Sequence, residues 1–228
     1  MRSLLPFLIN ADVTPWKYWF HLDNTSKVPF LNGPNYFQSP DTRRGLKDRA
    51  VRFDVTSRQH LFLKGEKQCA VDFTFCHNGI TYAIWLNVID NLSINKTIIF
   101  TNFIKLISST SGSGIQFHIE VHHKDSMTYT RSFLMSTHKW THLTFTVSEN
   151  ADIRIFLNGK LDDTNTAISQ PSPSGSSTSS VEIRVGDKMN GCTMIIDDMH
   201  IFEYLLTENE IRRLQGRHFL ILLFILFI

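Results

Sequence analysis

The sequence predicts an all-β protein, an antiparallel two-sheet sandwich or jelly roll, with one short helix near its C-terminal end. Three observations carry this. Apolar residues recur at every second position in several separate runs, which is the period of a half-buried strand. Turn residues bound those runs at short spacing, as in sandwiches and jelly rolls. A helix-capping pattern stands after the last run. Composition agrees: 42% of the 228 residues are hydrophobic and 19% charged, ordinary for a folded domain. The 18 Phe among many Thr, Ile and Val lean toward strand.

Taken along the chain, Thr81 to Val88 and Ile98 to Ile107 are mainly apolar, as expected of strands covered on both faces. Ile115, Phe117, Ile119 and Val121 alternate with Gln116, His118, Glu120 and His122. In the next run Leu143, Phe145 and Val147 share one face, leaving His142, Thr144 and Thr146 on the other. Glu149-Asn150-Ala151 is a polar turn of hairpin length, after which Ile153, Ile155 and Leu157 alternate with Asp152 and Arg154 turned away. Asn158-Gly159 supplies two residues that tolerate positive φ, the requirement of a type I′ turn, so Lys160-Leu161-Asp162 should pair back antiparallel. These pieces form a three-strand meander with one face in a core. Ser169 to Ser180, Ser-Gln-Pro-Ser-Pro-Ser-Gly-Ser-Ser-Thr-Ser-Ser, has no apolar side chain to bury and is expected to be a solvated loop open to O-glycosylation. Val181 to Val185 alternates again and ends at Gly186. Thr207-Glu-Asn-Glu210 is a capping box, with Ile211 and Leu214 three apart and Gly216 at a stop position, so one short helix is expected there.

With these elements in place, several separated motifs resemble the laminin G-like jelly rolls of the concanavalin A-like lectin/glucanase superfamily, pentraxin-type relatives included. They are Trp19-Phe-His-Leu-Asp23, Cys69-x6-Cys76-x2-Gly79 followed by Trp85, Trp140-Thr-His-Leu with Leu157-Asn-Gly159, and Ile196-Asp197-Asp198-x-x-Ile201 with Leu206-Thr-x-x-Glu210-Ile211. The pieces stand in family order across residues 16–216. The resemblance implies two antiparallel sheets around one core, a jelly-roll sandwich. It also implies a local Cys69–Cys76 disulfide, and hence a compartment outside the cytosol. A fully extended chain would hold those two Cα atoms about 23 Å apart, far beyond a bridge's reach, so the intervening residues must fold back. Two buried thiols are the alternative, and Cys192 reads as a buried free thiol.

Candidate sites are few. His118, Glu120 and His122 project from one strand face about 6.6 Å apart along the chain, a row that offers two imidazoles and a carboxylate to zinc. The plainer reading is a solvated face complementary to the buried one. Some jelly rolls of this class hold structural calcium with oxygens from both ends of the domain, which makes Asp23 and Asp197 the candidates here; the ion needs about six to eight oxygens. Asn24, Asn91 and Asn95 head glycosylation tripeptides. Phe156 and Tyr129 are conceivable sugar-stacking aromatics, although such residues more often pack.

What is missing bounds the function. Glucanases of this class carry Glu-x-Asp-x-x-Glu on one strand, a pattern this chain lacks, and no other catalytic motif stands in its place. Adjacent Asp197 and Asp198 would point to opposite faces of a regular strand. A net charge of +2 without a basic block gives no footprint for nucleic acid. Residues 1–15 resemble a weak or truncated secretory signal, and residues 217–228 form a hydrophobic tail. Its apolar run of ten residues, Phe219 to Ile228, reaches about 15 Å as a helix, half a bilayer core. It is the start of a transmembrane helix, an anchor signal or simply the place where the chain stops; the first two would associate the protein with a membrane. The expectation is a non-catalytic extracellular recognition or adhesion module, secreted or membrane-anchored, that binds glycan or protein and requires no cofactor. A structural spacer domain is the alternative, followed by a glycoside-processing enzyme.

Overall fold

The computed structural model describes residues 18–20, 37–38, 51–53, 61–64, 69–70, 73–89, 96–111, 114–123, 127–162, 168–173, 182–185 and 192–215. The early strands are β1 Tyr18–Phe20, β2 Phe37–Gln38, β3 Val51–Phe53, β4 Leu61–Lys64, β5 Ile80–Val88, β6 Lys96–Phe100 and β7 Ile104–Ser111. The later ones are β8 Gly114–His122, β9 Met127–Leu134, β10 Thr141–Val147, β11 Ile153–Leu157, β12 Lys160–Leu161, β13 Ile168–Pro173, β14 Glu182–Val185 and β15 Met194–Phe202. Helix α1 follows at 208–215. The first sheet runs β12–β11–β10–β5–β15–β3–β2, with β1 also on β15; the second runs β13–β9–β8–β7–β6–β14–β4. Every described pairing is antiparallel.

The alternation sorts side chains as the sequence implies. Leu143, Phe145, Val147, Ile153 and Ile155 of the first sheet meet Ile104, Leu106, Phe117, Ile119 and Val121 of the second in one buried core. Asn158 and Gly159 take φ of 50° and 74°, and Lys160 pairs back on Leu157. Asn158 also accepts a hydrogen bond from the His142 amide at Oδ1, 3.0 Å, so its side chain secures the start of β10 as well as the turn. In the preceding turn Ala151 sits at φ 60°, a left-handed conformation that is strained for a residue with a Cβ, and the Ala151 and Ser148 amides close the loop. Arg131 of β9 ties the two layers at one margin, donating to the carbonyls of Ile153 and Asp162 at 2.6 and 3.2 Å.

Three expectations change. The apolar run Ile98 to Ile107 is two strands, because Thr101 Oγ1 accepts from the amides of Phe103 and Ile104 at 3.3 and 2.8 Å and turns the chain between β6 and β7. The Ser/Pro stretch expected to be wholly loop begins with β13, paired to β9 across a register shift between Ser169 and Ser172. β13 is the outermost described strand of its sheet, a position where an apolar face is not needed and Pro is tolerated. Finally, His142, Thr144 and Thr146 are buried, so β10 is covered on both sides.

The cover over part of that face is the C-terminal helix. Ala83, Phe156 and Phe202 pack with Leu206, Ile211 and Leu214 in a second cluster outside the sheet. The predicted capping box forms: the Thr207 amide donates to Glu210 Oε2 at 2.8 Å, and Thr207 Oγ1 accepts from the Glu210 amide at 3.3 Å. Thr81, in the middle of the sheet, donates to the Tyr204 carbonyl and accepts from the Leu206 amide, which fixes the entry to α1.

The segment before β5 does fold back. Cys69 and Cys76 form a disulfide with Cα atoms 4.6 Å apart, and a 3-10 turn at Phe73–Phe75 accomplishes the reversal. Tyr82 braces this loop by donating from its hydroxyl to the Ala70 carbonyl at 3.0 Å, and burial pushes its phenol well above the usual tyrosine range. Gly79 closes the loop at φ 71°, where an added Cβ would come within 2.7 Å of the Val147 carbonyl oxygen. Cys192 is a buried free thiol.

Candidate ligand-binding face

The outer face of the second sheet is the more open of the two. Residues directly opposite one another in an antiparallel pair share a face, so the register lays out cross-strand rows. Ser109, Gln116 and Leu134 form one row; Ile107, His118 and Ser132 the next; Lys105, Glu120 and Thr130 a third, which Phe100 extends beside Lys105. His122 and Thr128 end the series. All of these side chains are half-buried apart from exposed Leu134, whereas Ile104, Leu106, Phe117, Ile119, Val121 and Phe133 on the inner face of the same strands are fully buried.

Hydroxyls fix the two imidazoles. His118 lies between Ser109 Oγ at Nε2 and Ser132 Oγ at Nδ1, the latter 2.7 Å away. A neutral imidazole donates through one nitrogen and accepts through the other, so one serine gives a proton to the ring and the other takes one. His122 Nδ1 pairs with Thr128 Oγ1 at 2.8 Å. Burial holds both rings below the ordinary histidine value of 6.5; the Glu120 charge opposes this at each, and Lys105 adds to it at His122.

Their sign fixes a stability trend. The unfolded chain protonates these histidines near pH 6.5 while the folded face resists, so more protons are bound in the unfolded state as pH drops. Stability retained above about pH 6.5 is therefore lost as pH falls through the lower folded values. Thermal melts at pH 7.5 and 5 should show a smaller pH-dependent drop for His118→Gln/His122→Gln than for the wild type. An equal drop in both would mean that these rings do not contribute.

The row read as a zinc candidate is thus a hydrogen-bonded face, and no three His, Cys, Asp or Glu side chains gather for a metal among the described residues. Asp197 is fully buried in β15 opposite Trp85 of the first sheet. A register shift between Asp197 and His200 interrupts the regular strand assumed for the Asp197-Asp198 pair, and core-facing positions pass from Met194 and Ile196 to Met199 and Ile201 across it. Asp23, Asn24, Asn91, Asn95 and the tail 217–228 lie outside the described residues, among which no helix is long and apolar enough to cross a membrane. Neither conceivable stacking aromatic is displayed: Phe156 is buried beneath α1, and Tyr129 packs on the core with its ring edge-on to His123. The hydroxyl partners Ser109 and Ser132 and the aromatic Phe100 were missed in sequence, because only the pairing of β6, β7, β8 and β9 brings them beside His118 and Lys105.

The layering, the closing helix and the bridged loop define a lectin-type jelly roll. A laminin G model of the concanavalin A-like lectin/glucanases superfamily matches residues 64–212, and the chain belongs to that superfamily. Strands β1, β2 and β3 precede the matched range and still pair into the first sheet. Among solved structures, the receptor-binding domain of botulinum neurotoxin C/D mosaic serotype superposes with TM-score 0.60 at 15% identity, over 83% of this chain and 46% of that one. The serotype D ligand-binding domain in complex with N-acetylneuraminic acid gives 0.58 at 15% identity, over 82% and 45%. The binding domain of neurotoxin DC in complex with SialylT gives 0.57 at 15%, over 81% and 45%. These likenesses are of fold, and this chain spans less than half the length of each. No curated protein matches the chain in sequence.

Proposed function

We propose that the protein is a non-catalytic extracellular recognition module that binds glycan on the outer face of its second sheet. The observation that carries this reading is the half-buried polar array of Gln116, His118, Glu120 and Lys105, in which strand pairing sets the spacing and the hydroxyls of Ser109 and Ser132 hold the His118 ring. Amide, imidazole and charged groups fixed in place are what sugar hydroxyls require, since each hydroxyl both donates and accepts. The longer proteins that share the fold, solved in complex with N-acetylneuraminic acid and SialylT, add support from analogy. The Cys69–Cys76 bond supports an oxidising compartment. The non-catalytic part rests on chemistry: glycoside hydrolysis uses paired carboxylates about 5–9.5 Å apart, and Glu120 is the one carboxylate among the described side chains of this face.

A spacer role is the second reading, favoured by the hydrogen bonds that engage both nitrogens of His118 and Nδ1 of His122 from within. A glycan array probed with the full chain separates the two. Binding that survives in the wild type and falls at least about tenfold in His118→Ala supports recognition, given the weight of hydrogen bonds lost at a fixed site. Binding to no glycan, or retention only of a cell-surface protein, removes the glycan reading, and turnover of a β-glucan removes the non-catalytic one.

A further inference from the structure

The rows of the open face are not equivalent. His118 is held by Ser109 and Ser132, and His122 by Thr128. Between them Lys105 and Glu120 stand directly opposite in register on β7 and β8. Among the described residues neither the Lys105 ammonium nor the Glu120 carboxylate makes a hydrogen bond or an ion pair, although both side chains are half-buried. Cα atoms of such opposed residues lie about 4.5–5.5 Å apart, so two long side chains of opposite charge could have met and have not. Phe100, half-buried, is next along the same row beside Lys105.

The geometry points to Lys105 and Glu120, flanked by Phe100, as the subsite that holds an uncharged pyranose by two neighbouring hydroxyls. This inference rests on the recognition reading above and names the ligand class of that face. An ammonium only donates and a carboxylate only accepts. One sugar hydroxyl therefore accepts from Lys105 Nζ while its neighbour donates to Glu120, and each bond is strengthened by a full charge. The Phe100 ring offers an apolar surface to the C–H face of the sugar. Charge balance favours this class: among the described side chains of the row the Lys105 and Glu120 charges cancel, and burial disfavours a proton on the imidazoles on either side of Glu120. An anionic sugar at this row would meet the Glu120 carboxylate.

The test is titration calorimetry of the full chain at pH 7.4 with glycans ending in galactose, glucose or mannose, with their sialylated counterparts, and with analogues deoxygenated at one ring hydroxyl. Glu120→Gln, Lys105→Met and Phe100→Ala are compared with the wild type, each accepted only if its melting temperature is retained. A neutral terminal sugar should bind, and Glu120→Gln and Lys105→Met should each weaken it about ten- to a hundredfold, the range for hydrogen bonds to charged groups. Loss of one ring hydroxyl should have a similar effect on the wild type and little further effect on the variant lacking its partner. Glu120→Gln should narrow the preference for neutral over sialylated probes. Neutral glycan binding untouched by both variants but lost in His118→Ala, or a wild-type preference for sialylated probes, overturns this subsite and leaves the recognition reading standing. Binding of no probe at all overturns both.

Discussion

Phe145→Ala is expected to lower the free energy of unfolding by about 3–5 kcal/mol, read from the urea midpoint at unchanged slope. Phe145 is fully buried in the middle of β10, paired on one side with Ile155 of β11 and on the other with Tyr82 of β5. Its ring stacks on Tyr82 at 5.0 Å with 10° between planes. Removing it leaves a void between the sheets, and the hydrogen-bonded neighbours on both sides prevent β10 from collapsing into it. The lost contacts are therefore not regained, which is the condition for a cost at the upper end of core truncations. The effect should also reach the bridged loop, because Tyr82 carries the hydrogen bond to Ala70. A loss below about 1 kcal/mol would contradict the packing described for this layer.

Replacing both bridged cysteines, Cys69→Ser/Cys76→Ser, is expected to cost about 2.5 kcal/mol. That figure is the chain-entropy value for closing so short a loop at room temperature, within the roughly 2–5 kcal/mol found for native bridges of small domains. Buried positions for both residues mean that the new hydroxyls are also taken from water, which adds to the loss. Equilibrium denaturation with and without a thiol reductant gives the readout: reductant shifts the wild type and leaves the double variant where it is. No shift in the wild type would show that the bond contributes nothing. Scrambling does not confuse the result. Cys192 precedes β15 at the end paired with Val88, while the bridge lies just before Ile80 at the other end of β5, about 27 Å away along the strand.

Much of the architecture was legible because it is written in short-range periods. The strands β8, β10 and β11 read from alternation, the Asn158-Gly159 turn and the Thr207–Glu210 cap each depend on neighbours within a few residues, and each is in place. The bridge needed the family resemblance, since seven steps of strand-favouring residues give no local sign of the 3-10 reversal. What escaped depends on distant partners. Thr144 and His142 look like a wet face until α1, more than sixty residues later, is packed over part of the same sheet. Thr101 gives little warning that its hydroxyl will break an apolar run in two. The shift beside Asp197 changes which residues face inward without altering the composition of β15.

The candidate face divides in the same way. His118, Glu120 and His122 were visible as a row because they share a strand; their chemical meaning was not, because it is set by Ser109 and Ser132, nine and fourteen residues away. A zinc triad and a hydrogen-bonded polar face are written with the same letters on one strand, and only the neighbouring strands distinguish them.

The rim formed by β13 has a consequence for crowding. Pro171 and Pro173 lie on the outermost described strand of the second sheet, whose register is already kinked against β9. A second molecule seeking to zip onto that border would find two amide protons missing and a misaligned template. At high concentration, this border is therefore a poor seed for edge-to-edge growth into fibrils.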